Sequence, residues 1–350
     1  MPAVCRSDTL HPAGAAPPDG ILRIGGTRRR SSPAQLRIPS AATVDRILHQ
    51  KQAMQKTFRL LFAALLPLGA CNTDEDLIGS ESQPNAFTVV EWTPAPGQFI
   101  GENDYAGPDG VVTAASAAAW AQKRLEAHQY VSLGGFGGSI TVRFAHPIAA
   151  GSSGYDFAIR GNAIDTSNEP GIVWVMTDRN GNGRPDDTWY ELRGSETGKT
   201  TTFADYEVTY YRPDAPQSDV RWTDNRGGEG RIEYLPHHHR QDSYYPAWIE
   251  ADRYTLKGTR LEAHNRYDEG KKQWVNYPYD WGYVDNAGSD LIDGIAVGFR
   301  IANAIDASGA PVRLESIDFI RVQTGVNFQS AGNIGEVSTE VCGFEDLTRH

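Results

Sequence analysis

Ser139-Ile140-Thr141-Val142-Arg143-Phe144 decides the fold. Ile140, Val142 and Phe144 fall on one face, and Ser139, Thr141 and Arg143 on the other. Successive side chains leave a pleated strand on opposite faces, so this period of two predicts a half-buried antiparallel strand. Tyr206, Val208 and Tyr210 alternate with Glu207 and Thr209 in the same way. Residues 171–176 form a continuous apolar run, short enough for an inner strand covered on both faces. Further strands are expected near residues 87–92, 155–160, 188–192, 254–257, 296–301 and 317–322. One helix is expected, capped by Thr113 and running to about Ala127 through Trp120, Arg124 and Leu125. Many short strands separated by Gly, Pro, Asn and Asp turns predict an all-β chain, a β-sandwich of jelly-roll type with one short helix and long loops. There is no clear internal repeat or second linker, so residues 86–350 are expected to be a single domain.

The chain ahead of that domain reads differently. Met54-Gln55-Lys56-Thr57-Phe58-Arg59 is a basic start, Leu60 to Leu68 an apolar middle, and Gly69-Ala70 a small-residue end before Cys71. That order is the pattern of a bacterial lipoprotein signal, with Cys71 as the lipidated residue, and the apolar run is far shorter than the roughly 20 residues that span a bilayer. Residues 1–53 are rich in Pro, Ala and Ser and show no sustained period; they read as an upstream mis-start or a disordered basic arm. Residues 71–85 open with Asn72-Thr73-Asp74-Glu75-Asp76 and read as an acidic tether.

Of 33 basic and 44 acidic residues, residues 1–53 hold 8 and 3 and residues 54–70 hold 2 and none, so 71–350 keeps 23 and 41, a formal charge of −18. A body this acidic repels nucleic acid and anionic lipid headgroups, and no nucleic-acid partner is expected. Cys5 and Cys71 lie ahead of the domain, which leaves Cys342 alone and excludes an internal disulfide.

The sharpest local chemistry is Asp178-Arg179-Asn180-Gly181-Asn182-Gly183-Arg184-Pro185-Asp186-Asp187. Oxygen side chains at loop positions one, three and five, Gly at six and an acid at nine match the first part of a Ca2+ loop. Trp189 stands where a bidentate Glu is expected, so Asp187 or Glu191 would complete a shell built on Asp178, Asn180, Asn182 and Asp186. An Asn/Gly-rich turn without metal is the alternative.

Trp222, Tyr244, Tyr245, Trp248, Trp274, Tyr279, Trp281 and Tyr283 fall close together and interleave with Asp224, Asn225, Asp280, Asp285 and Asn286. Flat rings beside amides and carboxylates suit a sugar or a planar ligand such as a corrin. Trp222, Asp224, Asn225, Tyr244, Tyr245, Trp281, Tyr283 and Asn286 are the candidate ligand-binding residues; the opposing reading places the rings in the core. If residues 244 and 245 are extended, one of the two Tyr side chains faces outward. His237-His238-His239 reads as a solvated loop, and Gly134-Gly135-Phe136-Gly137-Gly138 as a tight connection between strands. No nucleophile elbow, zinc-protease helix or Cys/His pairing is present.

Several segments together resemble a family of Bacteroidetes outer-membrane surface lipoproteins described as cell surface proteins, some with a polycystic-kidney-disease-like repeat. The matching stretches include Ser132 to Gly138, Glu169-Pro170-Gly171-Ile172-Val173, the Asp178 loop with Trp189-Tyr190-Glu191-Leu192, and Tyr206 to Pro213. They continue through Arg221 to Asn225, Ser243 to Pro246, Lys257 to Leu261, Asp280 to Tyr283, Ile317 to Ile320 and Gly335 to Glu340. The resemblance covers about residues 86–348. It implies a protein facing the cell exterior that serves a TonB-dependent transporter in nutrient uptake and leans to a corrinoid as ligand, while the aromatic residues leave a glycan open; it assigns no binding residue. A glycan-active hydrolase and a structural or adhesive subunit that contacts the transporter are the alternatives.

Overall fold

Strand β15 (Ser316–Thr324), close to the end of the chain, lies in the middle of the largest sheet. In this computed structural model, which describes residues 87–102, 113–237, 239–331 and 334–349, that antiparallel sheet has six strands. Their order is β1 (Phe87–Thr93), β3 (Ser139–Ala149), β15, β5 (Gly171–Met176), β6 (Trp189–Leu192) and β14 (Ala304–Ile305). The expected mis-start, signal, lipidated Cys71 and tether lie outside the described residues.

The register explains the cohesion of this sheet. Val142, Ile320 and Val175 stand in one row, and Ile140, Val322 and Val173 in the next. All six side chains are fully buried, and cross-strand rows of β-branched residues are the unit of sheet stability. They pack into one apolar cluster with Phe157, Ile159, Val297, Phe299 and Phe344. Those residues belong to a three-stranded sheet in the order β13 (Ala296–Phe299), β4 (Phe157–Arg160) and β19 (Gly343–Asp346). Two sheets sharing one apolar layer make an all-β, sandwich-like fold.

A four-stranded sheet, β10 (Arg253–Arg260), β7 (Phe203–Tyr211), β8 (Val220–Asp224) and β9 (Glu229–Ile232), carries a second core around Phe136, Tyr206, Val208, Tyr210 and Val220. Three two-stranded ribbons complete the described elements: β11 (Asn265–Asp268) with β12 (Gln273–Asn276), β16 (Gln329–Ser330) with β17 (Gly335–Glu336), and β18 (Glu340–Val341) with β2 (Val131–Ser132).

The helix α1 (Ala114–Glu126) begins where the sequence places it. Thr113 Oγ1 accepts from Ser116 N, and Ser116 Oγ accepts from Thr113 N, a reciprocal cap. Ala117, Ala121 and Leu125 form its buried stripe, and Trp120 stacks on Trp92 of β1 at 5.2 Å. β1 is an edge strand with a bulge between Val89 and Glu91; there Gln122 Oε1 accepts from Val89 N at 2.6 Å, so the helix covers the edge.

One expectation changes. Ser139 and Thr141 are buried rather than solvated, because further layers cover the second face of the sheet at this end. Gln323, paired with Ser139, donates to the carbonyls of Gly137 and of Lys257 on β10, and Arg321 Nε donates to Thr141 Oγ1 at 3.0 Å. Only the later part of β3 keeps an exposed face.

Candidate metal centre

The Asp178 loop joins β5 to β6, with Met176 and Trp189 as its closing pair. Gly181 and Gly183 hold positive φ, which lets the chain turn inside its own side chains. Asp178 Oδ1 accepts from Asn182 N at 3.1 Å, and its Oδ2 from Gly183 N at 2.8 Å. Asn180 and Asn182 donate from Nδ2 to Asp186 at 3.1 and 3.0 Å, and these amides hold the Asp186 carboxyl below its usual range. Asp187 Oδ2 accepts from the backbone of Arg179 and Asn180, and Asp318 anchors Asp178 N at 2.8 Å. Five oxygen-bearing side chains therefore fold onto one loop; turning either Asn amide presents its oxygen in place of its nitrogen.

Glu191 is not among them. Its carboxylate accepts from Thr259 Oγ1 of β10 at 2.5 Å, away from the loop. Burial pushes this carboxyl up to about 7, against which the Thr259 hydroxyl acts only partly. Two residues past Trp189 on β6, Glu191 meets β10 rather than the turn. Asp187 is the acid the loop itself supplies.

A second group of acids was invisible in the sequence. Glu169, Asp285 and Glu340 each bring one carboxylate oxygen within 4.8 Å of the others, and they are 8%, 1% and 2% exposed. A group of this kind can hold a metal ion. Glu169 lies just before β5, Asp285 in the loop after β12, and Glu340 on β18. Glu169 N donates to Asp285 O at 2.9 Å, and Gly171 and Val284 exchange backbone bonds beside it. Asp285 Oδ2 accepts from Glu340 N at 3.1 Å, and Oδ1 from Asn162 N at 2.8 Å. Glu340 Oε1 accepts from Ser338 Oγ at 3.1 Å and Ser132 Oγ at 3.3 Å. Asp285 has φ +56°, a conformation Asp tolerates better than most residues. Gly161 permits its approach: a Cβ there would stand 2.7 Å from Asp285 Cα. A divalent cation seated among three carboxylates held this close would offset their charge.

The aromatic residues divide. Tyr244 and Tyr245 are both buried, in a turn-rich segment where the two-face rule of an extended strand does not apply. Tyr244 Oη accepts from Leu235 N at 3.0 Å, and Tyr245 Oη donates to Ala251 O at 2.7 Å. Tyr283 is buried with Oη accepting from Glu196 N at 3.0 Å. Asn286 is buried, and its amide closes a ring of bonds with Tyr279 N and O. These four hold the scaffold together and present no open ligand surface.

Asp224 accepts from Tyr206 Oη at 2.6 Å and from the turn amides of Arg226 and Gly228; Asn225 ties that turn to Asp205 and Glu207. Both shape the β8–β9 hairpin. Trp222 is half-buried, with Gly230 beneath its ring. Trp281, also half-buried, lines a hollow of about 140 Å³ with Tyr155, Arg193, Asp290 and Arg300. Trp222 does not border that hollow. His239 differs from its expectation too: it is buried against Gln98 and Glu102.

Comparison with protein-family models gives no match, and no curated protein matches the chain.

Proposed function

We propose that the protein is an exported, lipid-anchored binding protein of the bacterial outer surface. In this reading it captures a nutrient ligand without chemistry, for a TonB-dependent transporter, and calcium fixes the Asp178 loop. The observation that carries the binding reading is the Trp281 hollow. Trp281 and Tyr155 line it together with Arg193, Arg300 and Asp290. A ring face stacks on a sugar while charged groups bond its hydroxyls or an acidic substituent. At about 140 Å³ the hollow lies well below the roughly 300–1,000 Å³ of sites that enclose a drug-sized ligand. It suits one sugar ring or the end of a chain, which favours a glycan over a corrin macrocycle.

Calcium in the Asp178 loop is supported by the spacing of its five oxygen side chains and by Gly183, at positive φ where such loops turn sharply, although among the described residues only the Glu169 group gathers three carboxylates within 4.8 Å. The test is isothermal titration of the full chain with a panel of neutral and acidic oligosaccharides and with cyanocobalamin, each with calcium and with chelator. Heat from an oligosaccharide without release of product supports glycan capture. Heat from cyanocobalamin alone replaces the glycan with a corrinoid, and release of a shorter sugar replaces capture with hydrolysis.

A further inference from the structure

We infer that Glu169, Asp285 and Glu340, joined by Asn162, form a calcium site distinct from the Asp178 loop, one that clamps three distant segments of the chain. The inference goes beyond the capture reading and does not depend on which ligand is bound.

The triad alone would be only a group of acids. A second observation comes from Asn162, whose backbone amide bonds the triad. Asn162 is 6% exposed, its backbone amide already donates to Asp285 Oδ1, and its own Oδ1 is buried without a hydrogen-bond donor. A buried amide oxygen left without a donor is costly, and a cation satisfies it.

Donor chemistry selects the ion. Every group at the site is oxygen: three carboxylates, the Asn162 amide, and the hydroxyls of Ser132 and Ser338 on Glu340. Hard oxygen donors favour calcium or magnesium over zinc, which prefers nitrogen and sulfur. Magnesium holds several waters in a strict octahedron, and a site this buried leaves little room for them. Calcium accepts six to eight oxygens in irregular arrangements.

The clamp follows from where the ligands sit. Glu169 precedes β5 of the large sheet, Glu340 lies on β18 near the end of the chain, and Asp285 is in the loop that also carries Trp281 and Asp290. One ion would tie these three together with no disulfide.

The test counts ions. The full chain is stripped with chelator and titrated with calcium, magnesium and zinc chlorides, with bound metal also measured by elemental analysis. Two calcium ions per chain are expected in the wild type, and one in Asp178→Ala. None is expected when Asp285→Asn is added to that variant. Glu340→Gln in the Asp178→Ala background should weaken the remaining site at least about tenfold. A folded Asp178→Ala chain, by circular dichroism, that takes up no calcium overturns the inference, so the outcome does not hang on whether the Asp285 variant folds. A preference for zinc overturns it too. Two bound calcium ions with no oligosaccharide or corrinoid heat would support this site while refuting ligand capture.

Discussion

Glu191→Gln is expected to make the protein more stable at alkaline pH and to leave it unchanged in acid. In the folded chain this carboxyl is pushed from the ordinary 4.5 to about 7, chiefly by burial. A raised carboxyl pKa means the folded state prefers the proton. The stability that goes with it is fully present below 4.5 and is lost as pH rises through 7. Each unit of difference is worth about 1.4 kcal/mol, so the wild type at pH 8 carries a penalty of about 3 kcal/mol for an ionised buried carboxylate. Glutamine keeps the shape, accepts from Thr259 through its amide oxygen, and never ionises. Urea unfolding followed by tryptophan fluorescence at pH 4.5, 6 and 8, with calcium saturating, should give curves that coincide in acid and separate steadily toward pH 8. A Gln variant that tracks the wild type at every pH would refute the burial argument. A variant that loses both stability and calcium at pH 8 would return Glu191 to the metal shell.

Other perturbations discriminate between scaffold and site. Ile320→Ala removes a fully buried side chain from the central strand and should cost about 2–5 kcal/mol in the same unfolding assay. Gly134→Ala places a Cβ 2.1 Å from Ala95 O at a residue with φ +70°, and thermal unfolding should show a loss of more than about 2 kcal/mol or no folded protein. Trp281→Ala should abolish oligosaccharide heat in titration with little change in thermal midpoint. Tyr244→Phe should leave that heat intact and cost about 1 kcal/mol through the orphaned Leu235 amide.

What was legible in the sequence is what depends on neighbours in the chain. β3 and β7 are legible by their period, β5 by its unbroken apolar run, α1 by the cap at Thr113, and the Asp178 loop by five oxygen side chains within ten residues. Most differences come from a partner far away, and one from a local turn. Ser139 and Thr141 read as solvent-facing because nothing local shows that β10 and the Gly137 carbonyl cover that side. Tyr244 and Tyr245 were assigned by the geometry of a strand they do not form. Glu191 sits beside the loop in sequence but meets Thr259 of another sheet. The triad has no local signature: Glu169 reads as a strand entry before Pro170, Asp285 as one more acid among aromatics, and Glu340 as a strand residue. Long-range bonds bring them together: Glu169 N to Asp285 O, the Gly171–Val284 bridge, and Glu340 N to Asp285 Oδ2.

The late position of β15 bears on how the molecule is made. The strand that separates β3 from β5 is contributed by residues 316–324, and Glu340, which completes the acidic triad, comes later still. Until those residues leave the ribosome, the earlier strands lack their central partner, and non-local pairing of this kind is slow to form. So late a closing step leaves the large sheet open until nearly the whole chain has been made.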